Sequence, residues 1–171
     1  TDIIGRSMNE LVEEGFYNRS VTMQVIASQQ PSTITQEVKG GKVVLVTGGS
    51  RGLGYQMVKA FAERGADVII ASRKLDNCEA VAEEVRALGR RALAVAAHVG
   101  KWMECDALVE TAYQAFGRLD ILVNNAGMSP ACPSHDVSED LFDSVMNLNF
   151  KGPFRLASQI GHRMAQADGG V

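Results

Sequence analysis

The sequence predicts an α/β domain: a doubly wound parallel sheet with helices on both faces. Three observations carry that reading. From Lys42 onward, short apolar runs rich in β-branched residues alternate with longer amphipathic stretches. The apolar runs lack the in–out alternation of a half-solvated strand, so each is expected to be covered on both sides. The amphipathic stretches end at glycines and are long enough to serve as right-handed crossovers between parallel neighbours.

The elements follow in order. "KVVLVT" is the first strand and runs into "GGSRGLG". A helix follows with Leu53, Met57, Val58 and Phe61 on one face, and Gly65 stops it. "ADVIIAS" is the second strand. A second helix spans Asp76 to Leu88, with Cys78, Val81, Ala82, Val85 and Leu88 along one stripe and Gly89 as its stop. "RALAVAAHV" is the third strand. A third helix runs from about Met103 to Phe116 and ends at Gly117. "LDILVNNAG" is a fourth strand leading into a turn. In the loop "MSPACPSHDVS", Ser138 is placed to cap a helix containing Leu141, Phe142, Val145 and Met146. After a break, a last helix follows Pro153, whose fixed φ suits a first turn. Residues 1–40 read differently. "RSMNELVEEGFYNRS" could form a short helix, but "ASQQPSTITQEVKGG" is polar and poor in core formers. The expectation is an extension of unknown role over 1–40 and one domain over 41–171.

Composition narrows the function. A chain of 171 residues can bury one sizeable core. A net charge of -3 offers no basic surface for nucleic acid or anionic lipid. No apolar run approaches the roughly 20 residues that span a bilayer, and no basic segment followed by an apolar block opens the sequence. Neither a nucleic-acid nor a membrane partner is expected. Cys78, Cys105 and Cys132 are odd in number and far apart, which suits neither a disulfide framework nor a zinc site. Cys78 and Cys105 are expected to pack as small apolar residues. His98, His135 and His162 show no ligand spacing, so no metal is expected. Asn18 opens a glycosylation sequon, read as chance in a protein expected in a reducing cytoplasm.

A loop joining a strand to a helix presents free backbone N–H groups and the positive end of the helix dipole. Phosphate oxygens reach those groups only where side chains are absent, and Gly48, Gly52 and Gly54 provide that clearance. No Gly-Lys-Ser/Thr follows, which excludes a P-loop. "TGGSRGLG" resembles the Thr-Gly-x-x-x-Gly-x-Gly fingerprint of the short-chain dehydrogenases/reductases, in the branch with single-domain Rossmann-like subunits. "NNAG" at Asn124–Gly127 resembles that family's second signature, at a fitting distance. The resemblance covers Gly41 to the last residue.

It implies that Gly48, Gly52, Leu53 and Gly54 line a dinucleotide's pyrophosphate, with Ser50 and Arg51 of the same loop also expected among the cofactor contacts. Asn125, Ala126 and Gly127 are implied to border the ribose and the nicotinamide end. His98 stands where the family usually has an Asp touching adenine, and Val99 follows it. His98 is weighed equally as an adenine contact and as a surface residue at a strand end.

The cofactor expected is NADP rather than NAD. NAD-binding sites place a carboxylate at the end of the second strand for the ribose 2′-OH. Here Ser72 holds that place, followed by Arg73 and Lys74, with Arg51 nearby. Cations around one point suit a 2′-phosphate dianion.

The resemblance also implies a reaction: hydride transfer between NADP(H) and a small-molecule carbonyl or secondary alcohol. "NLNFKGPF" resembles the family segment whose Asn helps to hold a proton-relay water, with Asn149 in that place. The family's catalytic Ser and Tyr-x-x-x-Lys lie beyond a fifth strand, downstream of the "DGG" near the end of this sequence. The expectation is therefore the cofactor half of an oxidoreductase, truncated after the fourth strand and the helices that follow, and a homo-oligomer in its complete form. The alternative is a non-catalytic dinucleotide-binding or interaction module that pairs with another chain, because the fourth strand would leave an apolar edge unpaired.

Overall fold

The computed structural model describes residues 41–167. The expected extension over 1–40, with Tyr17 and Asn18, lies outside the described residues, as does "DGG" at 168–170. The order is β1 (Val43–Thr47), α1 (Gly52–Glu63), β2 (Asp67–Ser72), α2 (Leu75–Ala87), β3 (Ala92–Ala96), α3 (Trp102–Phe116), β4 (Ile121–Val123), α4 (Glu139–Met146), a π-helical turn (Asn147–Lys151) and α5 (Gly152–Gln166).

The sheet has the order β3-β2-β1-β4, and every pairing is parallel. β1 is therefore central, and all five of its residues are buried. Successive strand residues point to opposite faces, which divides the core in two. Val43 and Leu45 of β1 join Ile69 and Ala71 of β2, packed by Cys105, Leu108, Val109 and Ala112 of α3 and by Leu156 and Ile160 of α5. Val44 and Val46 join Val68 and Ile70, packed by Val58 and Ala62 of α1 and Cys78, Val81 and Val85 of α2. Each large side chain so covered contributes about 1.5–3 kcal/mol relative to leaving it in water.

The chain steps from β1 outward to β2 and β3, then crosses back to β4 on the other side of β1. The strand order reverses there, which in an open α/β sheet leaves a crevice beyond the carboxyl ends of the two strands, β1 and β4. In open α/β sheets such a reversal is where ligands sit. Two Arg residues of α5 tie it to α3. Arg155 pairs twice with Asp106, at 2.6 and 2.9 Å, and stacks 4.5 Å from the centre of Trp102. Arg163 pairs with Glu110 and stacks 4.7 Å from the centre of Tyr113.

The structure corrects several readings of the sequence. Leu53 is 67% exposed, and the buried stripe of α1 is Gly54, Val58 and Ala62. Its first turn lies at the crevice mouth, where no layer covers it. Leu88 is half-exposed at the C-cap of α2 rather than on the buried stripe. β3 and β4 are shorter than their apolar runs and only half-buried, because each is an outer strand among the described residues. The expected break before Pro153 is absent: α4 continues through the π-helical turn into α5, with Pro153 in its first turn. Ser138 does cap α4, its hydroxyl accepting from the Leu141 N–H at 3.2 Å. Cys78 and Cys105 are fully buried. No helix among the described residues is long and apolar enough to cross a membrane.

Candidate functional site

Thr47 ends β1 fully inside the protein and joins the two glycine-bearing motifs. Its hydroxyl donates to the Val123 carbonyl at 3.2 Å and accepts from the N–H groups of Asn125 and Ala126, both at 3.1 Å. The Asn125 amide returns the link, donating to the carbonyls of Thr47 at 2.9 Å and Gly48 at 3.4 Å. That amide is engaged with the glycine loop rather than with the crevice. The Gly48 N–H donates to Ala71 at the end of β2, at 2.7 Å.

The three glycines have separate tasks. At Gly54 a Cβ would lie 2.3 Å from the Gly48 carbonyl oxygen and 2.5 Å from Asn125 Nδ2, so only glycine lets α1 sit against the loop and the β4 turn. Gly48, at φ 66, is hemmed in by Asn125 and Ala126. Gly52 also has positive φ, at 57, yet a Cβ there would meet nothing within 4 Å. It faces open space at the start of α1.

No side chain caps that helix. The first backbone bond of α1 runs from the Tyr55 N–H to the Arg51 carbonyl, at 3.3 Å. The N–H groups of Gly52, Leu53 and Gly54 precede it and have no acceptor within the helix. They carry the positive end of the α1 dipole into the crevice.

The ends of β1 and β2 meet beside this loop. Ser50 donates to Ser72 at 2.9 Å. Arg51, Arg73 and Lys74 flank the pair, all exposed and with no carboxylate partner among the described residues. The sequence places these cations near one another only by analogy, and the Ser50–Ser72 bond brings their backbones together.

His98 is half-buried at the end of β3. Its N–H donates to Glu104 at 2.6 Å, and its Nδ1 accepts from the Gly100 N–H at 3.2 Å, so the neutral ring carries its proton on Nε2. The His98 N–H, and then the Lys101 ammonium at 2.9 Å, hold the Glu104 carboxyl below the ordinary range. The Val99 side chain is buried in the core, and its carbonyl accepts from the Cys105 thiol at 3.1 Å.

Asn149 lies on the π-helical turn. Its amide donates to the Met128 carbonyl at 2.7 Å and accepts from the Met128 N–H at 3.0 Å. It thereby fastens the segment following Gly127, whose Cα hydrogen faces the Asn149 oxygen. Single-turn π insertions often mark functional positions.

A Tyr-x-x-x-Lys spacing does occur once in the chain, at Tyr55 and Lys59. The structure puts both on α1, on the sheet face opposite α3 and α5. The Tyr55 phenol donates to Glu84 at 2.7 Å, and that carboxylate raises its pKa. A lysine beside a reactive phenol would do the opposite. Tyr55 is a brace between α1 and α2. Thr47 was missed as a site residue, although the fingerprint begins with it, because its role depends on a turn 76 residues away.

The comparisons agree with this geometry. Residues 42–171 match the family described as short chain dehydrogenase. An uncharacterized oxidoreductase of Thermotoga maritima is 39% identical over 131 residues, covering 77% of this chain and 51% of that protein. The L-sorbose reductase of Gluconobacter frateurii, solved with NADPH and L-sorbose, superposes with a TM-score of 0.71 at 31% identity, over 74% of this chain and 49% of that one. The 3-ketoacyl-(acyl-carrier-protein) reductase of Brucella melitensis, solved with NADH, gives 0.67 at 39% identity, over 74% and 52%. The chain thus spans about half the length of the relatives it matches. A strand-order reversal, an uncapped helix behind a glycine loop and a match over residues 42–171 lead to one conclusion: this chain belongs to the short-chain dehydrogenase family.

Proposed function

We propose that this chain forms the nucleotide-binding half of an oxidoreductase that uses NADP(H) on a carbonyl or secondary alcohol. The observation that carries the proposal is the rim at the ends of β1 and β2: an uncapped α1, an open Gly52 and three exposed cations with no carboxylate partner among the described residues. The N–H groups of Gly52, Leu53 and Gly54 would hold the pyrophosphate. Arg51, Arg73 and Lys74 would hold a 2′-phosphate. Ser72 removes the negative charge that would repel it. Ala126 and Gly127 would border the nicotinamide end, and Asn149, through Met128, would fix the backbone there. His98 would offer Nε2–H to an adenine nitrogen, while buried Val99 supports the pocket floor.

A bound nicotinamide supplies or accepts a hydride. The residues described here would orient it and leave one face toward the loop after Met128. That loop and α4 form an apolar groove lined by Pro130, Cys132, Val137, Leu141, Phe142 and Val145, which suits a substrate apolar near its carbonyl. The proposed acid–base partner of the reaction is a Ser and a Tyr-x-x-x-Lys on a following segment, by resemblance to the family. Relatives solved with NADPH and with NADH leave the choice of cofactor to the rim, and its charge favours NADP.

Titration of the chain with NADPH and NADH, followed by nucleotide fluorescence, tests the proposal. NADPH is expected to bind more tightly. Arg73→Glu should weaken NADPH at least tenfold and NADH less than threefold, since it removes one phosphate contact and adds a repulsion. Equal losses for both nucleotides, or no binding of either, would refute the assignment. Joined to the remaining segment of a relative, the chain should oxidise NADPH in the presence of some member of a ketone panel.

A further inference from the structure

Ser50, Ser72 and Cys78 form a run of side-chain hydrogen bonds behind the cationic rim. Ser50 donates to Ser72 at 2.9 Å, and Ser72 Oγ lies 3.0 Å from Cys78 Sγ. The Ser72 hydroxyl also reaches the Lys74 carbonyl at 3.4 Å, and the thiol faces the Val95 carbonyl of β3 at 3.8 Å. A hydroxyl has one proton and two lone pairs. Ser50 fills one lone pair of Ser72, and the single Ser72 proton faces the Lys74 carbonyl and the Cys78 sulfur. Ser72 therefore has no proton left to donate to a ribose hydroxyl, although it stands where a nucleotide-binding carboxylate would be expected.

Cys78 is fully buried on the inner face of α2. Packing alone would be served by alanine, as at Ala82 on the same stripe. The thiol adds a polar contact at the back of Ser72. The hydroxyl in turn joins two backbone segments, one carrying Arg51 next to Ser50, the other carrying Arg73 and Lys74 after Ser72.

We propose that Cys78 is a positioning residue for discrimination between phosphorylated and unphosphorylated dinucleotides. Its thiol holds Ser72 turned inward, so that the Ser50–Ser72 bond keeps the three cations around one point and leaves no neutral donor there for a bare 2′-hydroxyl. The inference rests on the nucleotide reading of the rim. It goes further by assigning discrimination to a side chain that never touches the nucleotide.

The test compares the dissociation constants of NADPH and NADH for the wild-type chain, Cys78→Ala, Cys78→Ser and Ser72→Ala, with circular dichroism to verify folding. Cys78→Ala should weaken NADPH about three- to tenfold, the scale of one hydrogen bond, and leave NADH within twofold. Cys78→Ser keeps a donor and an acceptor and should restore most of the ratio. Ser72→Ala should reproduce the selective loss, and adding Cys78→Ala to it should change the ratio no further. Equal weakening of both nucleotides by Cys78→Ala would assign Cys78 to packing alone and overturn the inference. An unchanged ratio in Ser72→Ala would overturn it even if Cys78→Ala failed to fold. A wild-type chain that binds neither nucleotide would instead bring down the assignment of the rim itself. Binding of both with equal affinity would remove the discrimination that Cys78 is proposed to position.

Discussion

Thr47→Val tests how the two motifs are joined. Valine keeps the volume of threonine and removes only the hydroxyl. Three hydrogen bonds go with it, but they are unequal. The Asn125 N–H keeps a second acceptor, the Val123 carbonyl at 3.1 Å. The Ala126 N–H has Thr47 Oγ1 as its acceptor, at 3.1 Å, and is left without it. One orphaned N–H costs about 1–3 kcal/mol, and each bond lost between groups that stay partly satisfied about 0.5–1.5 kcal/mol. The expected loss is roughly 2–6 kcal/mol, a large part of the 5–15 kcal/mol that holds a typical domain together. Thr47→Ser keeps the hydroxyl and loses one buried methyl, worth about 1 kcal/mol. Urea unfolding followed by circular dichroism separates the two. With a slope of roughly 2 kcal/mol/M, the midpoint should fall by about 1–3 M for valine and about 0.5 M for serine. A valine variant as stable as the serine variant would show that the hydroxyl is not what holds β1 to the β4 turn.

Two glycines of α5 should respond in opposite directions to alanine. At Gly152 a Cβ would lie 1.9 Å from the Val99 carbonyl oxygen, so Gly152→Ala should destabilise by about 2–3 kcal/mol despite its better helix propensity, whereas at open, exposed Gly161 the same change should stabilise by about 0.5–1 kcal/mol; thermal melts of both settle the comparison. A thiol reagent at neutral pH should label Cys132 alone of the three cysteines in the folded chain, and all three in urea. Cys132 is exposed, Cys78 and Cys105 are buried, and burial pushes the Cys105 thiol up to about 11. The Arg155 guanidinium holds the Asp106 carboxyl below its ordinary value. The pair's contribution is therefore complete above the usual carboxylate pKa of about 3.9 and is lost as pH falls through the lowered folded value. Arg155→Gln should make stability less steeply dependent on pH below about 4, while the lost stacking on Trp102 lowers it equally at every pH; an unchanged acid limb would contradict the assignment.

Much of the fold was legible in the residues because it follows from local rules. The β-branched run Val43–Val46 could only be a covered strand, Gly117 could only follow a helix end, and Ser138 announced a cap. The glycine loop was legible for the same reason, since a strand, three glycines and a helix in that order leave an open turn and an uncapped helix start. What failed locally was burial at the margins. Leu53 and Leu88 have the right spacing for a buried stripe, but spacing does not reveal where the covering layer stops. The helix break expected before Pro153 failed because a π insertion accommodates the extra residue without ending the helix.

The sequence by itself determined the α/β class, the order of elements and the glycine loop between β1 and α1, because periodicity and backbone freedom are properties of neighbours along the chain. The tertiary structure alone decided which distant groups meet. Thr47 gathers the β4 turn, Ser72 is held by Ser50 in front and Cys78 behind, and Asn149 fastens Met128. It also dismissed the spacing of Tyr55 and Lys59 by setting that phenol against Glu84. Such pairings depend on the sheet order, and the sheet order is set when two faces of the same strands are buried at once.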